Sequence, residues 1–186
     1  IEWFASVWDI PSCDFMSNFT TIAKIPSALI TDTNLIKYAR EKFDKLMIST
    51  GMSTEEEITM AIKLCNPDII FHTNSSYPSP VEELQLNYIK TLKHKYSDKE
   101  IGYSGHEYGL VTSFAAVAMG AVWVERHVTL DRTLWGSDQL ASIEPAGMLK
   151  LVKGVRDIEK AFGATNPSDR KLFPSELSKR KSLRGN

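Results

Sequence analysis

IGYSGHEYG (residues 101–109) and VWVERHVTLD (residues 122–131) each run from a short β-rich segment into a histidine, His106 and His127, with one helix-like stretch between them. If both segments are strands of one parallel barrel, the two imidazoles stand side by side at its C-terminal mouth, where such barrels keep their chemistry. Neutral imidazoles paired in this way are common donors to a divalent transition metal. A lone histidine at a strand end is more often a locally hydrogen-bonded structural residue. Two at equivalent points of consecutive units, each with a polar residue two positions earlier (Ser104 and Glu125), favour a site.

The same alternation extends along the whole chain. WFASVW, TIAKI, KLMIST, DIIFHTN, EIGYSGH and VWVERHV read as strands, followed in turn by the helical patterns IPSCDFMSNF, TDTNLIKYAREKF, TEEEITMAIKLC, VEELQLNYIKTLKHKY, VTSFAAVAMG and EPAGMLKLVKGVRDIEKAF. Strict alternation predicts an α/β fold with a parallel sheet and its helices outside. The expected architecture is a TIM (β/α)8 barrel represented by six of its eight strand-helix units, since a whole barrel takes roughly 250 residues. Ser53 and Glu56 have capping-box spacing at the start of the third helix. Pro145 and Gly163 suit the start and stop of the last one. Leu149, Val152, Val155, Ile158 and Phe162 recur on one face of that helix, which predicts core packing. Periodicity is lost after residue 163, so the barrel is placed at residues 1–163 and a polar C-terminal tail or linker at 164–186.

Composition narrows the function classes. With 186 residues, 42% hydrophobic, 24% charged and a formal net charge of −1, the chain reads as one ordinary globular domain. Its basic residues are dispersed, and the one cluster (Lys179, Arg180, Lys181, Arg184) lies in the polar tail, so no nucleic-acid partner is expected. No apolar run approaches the roughly 20 residues of a membrane span, and no cleavable signal pattern is present. Cys13 and Cys65 lie far apart without CxxC spacing, which fits a reduced, cytoplasmic setting. The sequons at Asn18 and Asn74 are read as chance matches in that setting.

Side chains alternate along a strand, so parity tells which residues share a direction. Ser104 falls with His106, and Glu125 and Trp123 fall with His127. Lys24 is the only charge in TIAKI. Aimed into the mouth it can meet an anion, whereas an unpaired buried charge would cost several kcal/mol; the alternative is a lysine reaching to the rim. Ser49, Thr50 and Gly51 end the next strand with small groups that can serve either an oxyanion or a turn. In HTNSSYPSP the inward set is Thr73 with Ser75, or His72 with Asn74. Asp138, in the loop LWGSDQLASIEP, is either a mouth-facing carboxylate or a loop cap. His94 sits in a lysine-rich helix and reads as a surface residue.

Taken together, FASVWD, AKIPSA, ISTGMST, HTNSSYPSP, IGYSGHEYG, AAVAMGAVWVERHVTLD and GSDQLASIEP, in this order, resemble the sialic acid synthase family. The resemblance runs from Ile1 to about Gly163. It implies that the chain starts at the family's third barrel strand, so that the units carrying a catalytic glutamate and a phosphate-binding lysine lie outside it, as does the family's C-terminal antifreeze-like domain. It further implies that His106 and His127 are catalytic ligands of a divalent metal, Mn2+ or Mg2+, and that Lys24, Ser27 and Ser49, with Ser104 nearby, bind phosphoenolpyruvate. Ser75 and Tyr77 would line the sugar site, and Asp138 would contact the sugar. Family members often read Ser-Asp-His where this chain has Ser104-Gly105-His106; the glycine form followed by Glu107 is similar to the animal-type enzymes. Gln139 stands where many members have histidine, and Val7 where some have threonine.

The activity so implied is condensation of phosphoenolpyruvate with N-acetylmannosamine or its 6-phosphate, giving N-acetylneuraminate or its 9-phosphate and free phosphate. Small-molecule substrates would be the partners, and a homodimer is the assembly to test. Three other readings stand beside it: a legionaminic or pseudaminic acid synthase, a Schiff-base aldolase using Lys24 as nucleophile, and a truncated barrel that binds without catalysis.

Overall fold

A computed structural model of the chain describes residues 2–163 and 170–185. Six strands, β1 (Ala5–Ser6), β2 (Ile22–Ile25), β3 (Lys45–Ser49), β4 (Ile69–Thr73), β5 (Glu100–Gly105) and β6 (Trp123–Arg126), pair in parallel in sequence order. Helices α1 (Ile10–Met16), α2 (Thr33–Lys42), α3 (Glu55–Cys65), α4 (Tyr88–Lys95) and α5 (Val111–Ala118) form the crossovers, and α6 (Pro145–Phe162) follows the last strand. Sequential order with a helix in every crossover is the winding of a (β/α)8 barrel. Here it gives an arc of six units whose edges are β1 and β6.

Strands covered on both faces read as continuous apolar runs, and β4, IIFHT, is buried at all five positions. One face packs Ala23, Ile25, Leu46, Ile48, Ile70 and Ile101 against the helices through Ile36, Ile58, Ile89 and Leu92. The concave face holds Ile22, Met47, Ile69 and Phe71 with Phe4 and Trp123. Phe71, Gly102 and Trp123 stand at one level through the β4–β5 and β5–β6 registers. A Cβ at Gly102 would come within 2.6 Å of the Phe71 ring and 3.0 Å of the Trp123 Cβ, so that level is full.

The local signals hold with small displacements. The capping box of α3 is Thr54 with Glu57, one residue beyond the expected Ser53 and Glu56, because the Ser53 hydroxyl is bonded to the Gly51 carbonyl. The fourth helix begins at Tyr88 and not at Val81; a 3-10 turn at Val81–Glu83 and a left-handed Gln85 precede it. Pro145 is in the first turn of α6 and Gly163, at φ 67°, ends it. The expected core stripe on α6 is corrected: Leu149, Val152 and Phe162 are more than half exposed, and Leu151 is the residue buried. The helix docks on α5 with Gly154 against the Phe114 ring, and Val152, Val155 and Phe162 line an open groove of about 500 Å³ shared with Val122 and Val124 at β6. Of the expected polar tail or linker at 164–186, residues 164–169 and 186 lie outside the described residues, and Pro174–Arg184 form a helix, α7, with no buried residue.

Both cysteines are fully buried, and burial pushes each thiol up to about 11. His72 points into the helix layer and donates from Nε2 to the Leu84 carbonyl at 2.6 Å; burial lowers its pKa and keeps the ring neutral. His94 is exposed, and among the described residues no helix is long and apolar enough to cross a membrane.

Two stability measurements follow. Gly102→Ala should lower unfolding free energy by about 1–3 kcal/mol, the usual cost of overpacking a filled layer, read from denaturant melts; an unchanged midpoint would mean the interior level is loose. For His72, the unfolded chain takes up a proton near pH 6.5 that the folded chain does not, so stability is full above that pH and falls as pH drops through it, by up to about 1.4 kcal/mol per unit. Denaturant melts across this range should show the slope, and His72→Gln should reduce it.

Candidate active site

The C-terminal ends of β1 to β6 line a cavity of about 430 Å³. Its lining contains all nine side chains expected there: Lys24, Ser27, Ser49, Ser75, Tyr77, Ser104, His106, His127 and Asp138. Parity brings most of them together. Thr73 and Ser104 are register partners on β4 and β5, as are Ser104 and Glu125 on β5 and β6. Of the two alternatives in HTNSSYPSP, Thr73 with Ser75 faces the cavity, because His72 is committed to Leu84 on the other side. A larger cavity of about 880 Å³ lies alongside, between the loops leading to α3 and α4, and shares Met52, Thr73 and Ser75 with the first. The paired imidazoles belong to the smaller one.

Lys24 is 7% exposed and its Nζ lies 3.0 Å from Glu125 Oε1. The Ser104 hydroxyl donates to the same carboxylate oxygen at 2.7 Å. Glu125 is the residue that the sequence reading left out of the site. The signal was its position two before His127, but parity alone does not say that it meets Lys24 across the arc. The hydroxyls of Ser49 and Thr73 are buried with no hydrogen-bond partner, an uncommon state for such groups outside binding sites. Ser27 accepts the Gly51 N–H at 3.1 Å. A Cβ on Gly51 would lie 2.1 Å from the Ser75 hydroxyl and 2.9 Å from that of Ser27, so glycine lets three loops converge.

The His106 and His127 rings meet edge to face with centroids 5.1 Å apart, and the Tyr77 ring covers both, at 4.2 Å and 5.5 Å. His106 Nδ1 is 2.6 Å from the Asn74 carbonyl. A carbonyl can only accept, so Nδ1 carries the proton and Nε2 keeps a free lone pair. Burial, more than any neighbouring charge, lowers the His106 pKa and holds the ring neutral. His127 Nδ1 faces Asp138 Oδ2 at 3.6 Å, a contact of ion-pair length and too long for a hydrogen bond. Burial also raises the Tyr77 pKa, with Asp138 and Glu125 adding to it. Val7 is fully buried in the core, and the Gln139 side-chain oxygen is buried without a partner. Among the described residues no group of three or more His, Cys, Asp or Glu is placed to hold an ion. The donor set is the two imidazoles.

Known proteins resemble this chain in sequence and in fold. Residues 1–167 match the NeuB family. The chain is 39% identical over 154 residues to human N-acetylneuraminate-9-phosphate synthase, covering 79% of this chain and 42% of the human protein. It is 34% identical over 184 residues to N,N'-diacetyllegionaminic acid synthase of Legionella pneumophila, covering 92% and 51%. It thus spans about half the length of the curated relatives it matches. The crystal structure of an N-acetylneuraminic acid synthetase from Leptospira borgpetersenii superposes with a TM-score of 0.88 at 34% identity, over 100% of this chain and 67% of that one. A truncated 3-deoxy-D-arabino-heptulosonate 7-phosphate synthase from Thermotoga maritima shares the fold at 18% identity and a TM-score of 0.73, over 87% of this chain and 66% of that one. Sequence, fold and the convergence of strand-end side chains on one mouth lead to a single assignment: this chain is a member of the NeuB family of sialic acid-type synthases.

Proposed function

We propose that this chain carries the metal-binding and phosphoenolpyruvate-binding side of an active site that condenses phosphoenolpyruvate with N-acetylmannosamine or its 6-phosphate. The observation that carries the reading is the pair of facing imidazoles, His106 and His127, set beside a buried lysine and unpartnered buried hydroxyls in one cavity. His106 fits a metal ligand in its chemistry: its outer nitrogen is tied to a carbonyl, which fixes tautomer and direction as outer-shell partners do. When bound on the two imidazoles, Mn2+ or Mg2+ would supply Lewis-acid polarisation of a carbonyl oxygen and a fixed point for the substrate.

In this reading the C2–C3 π electrons of phosphoenolpyruvate form the new bond from C3 to the aldehyde carbon of the open-chain sugar, while the carbonyl π electrons move to its oxygen, which is protonated to a hydroxyl. Positive charge then develops at C2, water adds there, and phosphate leaves with the C2–O bond electrons. Lys24, Ser27 and Ser49 hold the phosphate throughout, which supplies positioning and compensates its charge. An incoming phosphate competes with Glu125 for Lys24 and so frees that carboxylate, which then accepts the proton of the adding water. Tyr77, Ser75 and Asp138 orient the sugar, and the Tyr77 ring, lying over both imidazoles, limits access of bulk water to them. Against the aldolase alternative, the Lys24 ammonium is paired with the Glu125 carboxylate in a cavity also lined by the hydroxyl residues Ser27, Ser49 and Thr73, the surroundings of an anion site.

Direct titration of the chain with Mn2+, followed by electron paramagnetic resonance, tests the metal site. His106→Ala and His127→Ala should each weaken binding by at least about tenfold while the melting transition stays cooperative. Affinity in both variants equal to that of the unsubstituted chain would sink the assignment. Lys24→Met should weaken phosphoenolpyruvate binding by about 10–100-fold, the worth of a charge-assisted hydrogen bond, with Mn2+ affinity unchanged. Recovery of a borohydride-reduced pyruvate adduct on Lys24 would overturn this role and establish the imine chemistry instead.

A further inference from the structure

Behind the two imidazoles, on the opposite face of the same strand ends, lies a set of buried charges that this chemistry does not use. Glu107 follows His106 and Arg126 precedes His127, so alternation turns both away from the mouth and toward α5. Arg126 Nη1 is 3.0 Å from Glu107 Oε1, with the two side chains 1% and 0% exposed. The carboxylate also accepts from the Tyr103 hydroxyl at 2.8 Å and from that of Thr112. The guanidinium donates to the carbonyls of Glu107 and Gly109 at 2.7 Å each, and to that of Ala141 at 3.3 Å.

This network starts where the ladder stops. The β5–β6 register ends at Gly105 with Arg126. Beyond it the backbones of His106 and His127 bond outward, to Ser79 and Ile143, and not to each other. Arg126 supplies the missing tie: it grips the chain just past His106, and through Ala141 it grips the 3-10 turn headed by Asp138, the carboxylate beside His127. A Cβ at Gly105 would come within 2.7 Å of Glu107 Oε2 and 2.8 Å of the Tyr103 ring, so Glu107 folds back only over a glycine.

We propose that Glu107 and Arg126 are positioning residues: their ion pair is a clasp that sets the spacing and facing of His106, His127 and Asp138. The role rests on the mouth being the reactive site. A buried pair that served folding alone could be exchanged for apolar side chains without loss, and such exchanges are often neutral or stabilising. The test uses the double variant E107L/R126M, which leaves no lone buried charge, and two readouts on the chain: the nuclear Overhauser effect between His106 and His127 ring protons, and titration with Co2+ alone. A double variant that melts cooperatively should lose the ring-to-ring effect and bind Co2+ about 10–100-fold more weakly, the range for outer-shell partners of metal ligands. Retention of both at wild-type strength would overturn the clasp. If the double variant does not fold, R126K, which keeps the charge but not the three-carbonyl grip, is judged by the same two readouts, and wild-type values again overturn it. A wild-type chain that shows the ring-to-ring effect yet binds no Co2+ would refute the metal reading of the mouth, while the comparison of variants still decides the clasp.

Discussion

The contact between Lys24 and Glu125 is the constraint on which the rest of the site depends. The two residues lie on β2 and β6, four strand spacings apart, about 19 Å along a flat sheet at ~4.8 Å per step. Their charged atoms nevertheless meet at 3.0 Å, which requires the sheet to curl until the ends of β2 and β6 face each other. The ion pair is thus a chord across the arc. A lysine in this interior needs a counter-charge, since a lone buried ammonium is prohibitively costly. The curl that provides it also gathers Ser104, His106 and His127 on one concave surface, above a dry floor of Met47, Ile69 and Phe71.

The two faces of the strand ends divide the work. On the concave side, polar groups are held but not saturated: Ser49 and Thr73 have no partners, and one nitrogen of His106 is left open. On the convex side nearly every polar atom of Glu107 and Arg126 is engaged. Rigidity behind and unmet bonding capacity in front is the arrangement that binding and transition-state stabilisation ask for, because donors held in place need no reorganisation when charge develops.

Much of this was legible in the sequence because a period of two is hard to mistake. The strand-helix alternation implies the parallel arc, parity groups Ser104 with His106 and Glu125 with His127, and the cost of an unpaired buried charge favours an inward Lys24. What the pattern could not supply was contact between distant strands. Glu125 was visible as a neighbour of His127, but its pairing with Lys24 is a property of curvature. Thr73 and His72 were interchangeable until Leu84 claimed the histidine. The α6 stripe has the right spacing for burial, yet spacing says nothing of whether a partner surface lies opposite it. α7 was missed for the complementary reason: a helix that buries no residue leaves no apolar stripe to read.

The fit of Gly105 against the Glu107 carboxylate has a consequence for how this part of the chain can vary. An aspartate at position 105 would bring both a Cβ and a second negative charge onto Glu107. It could be accommodated only if Glu107 changed as well. Arg126 would then lose the counter-charge that makes its burial tolerable. Positions 105, 107 and 126 therefore depend on one another, and a change at any one of them is felt at the other two.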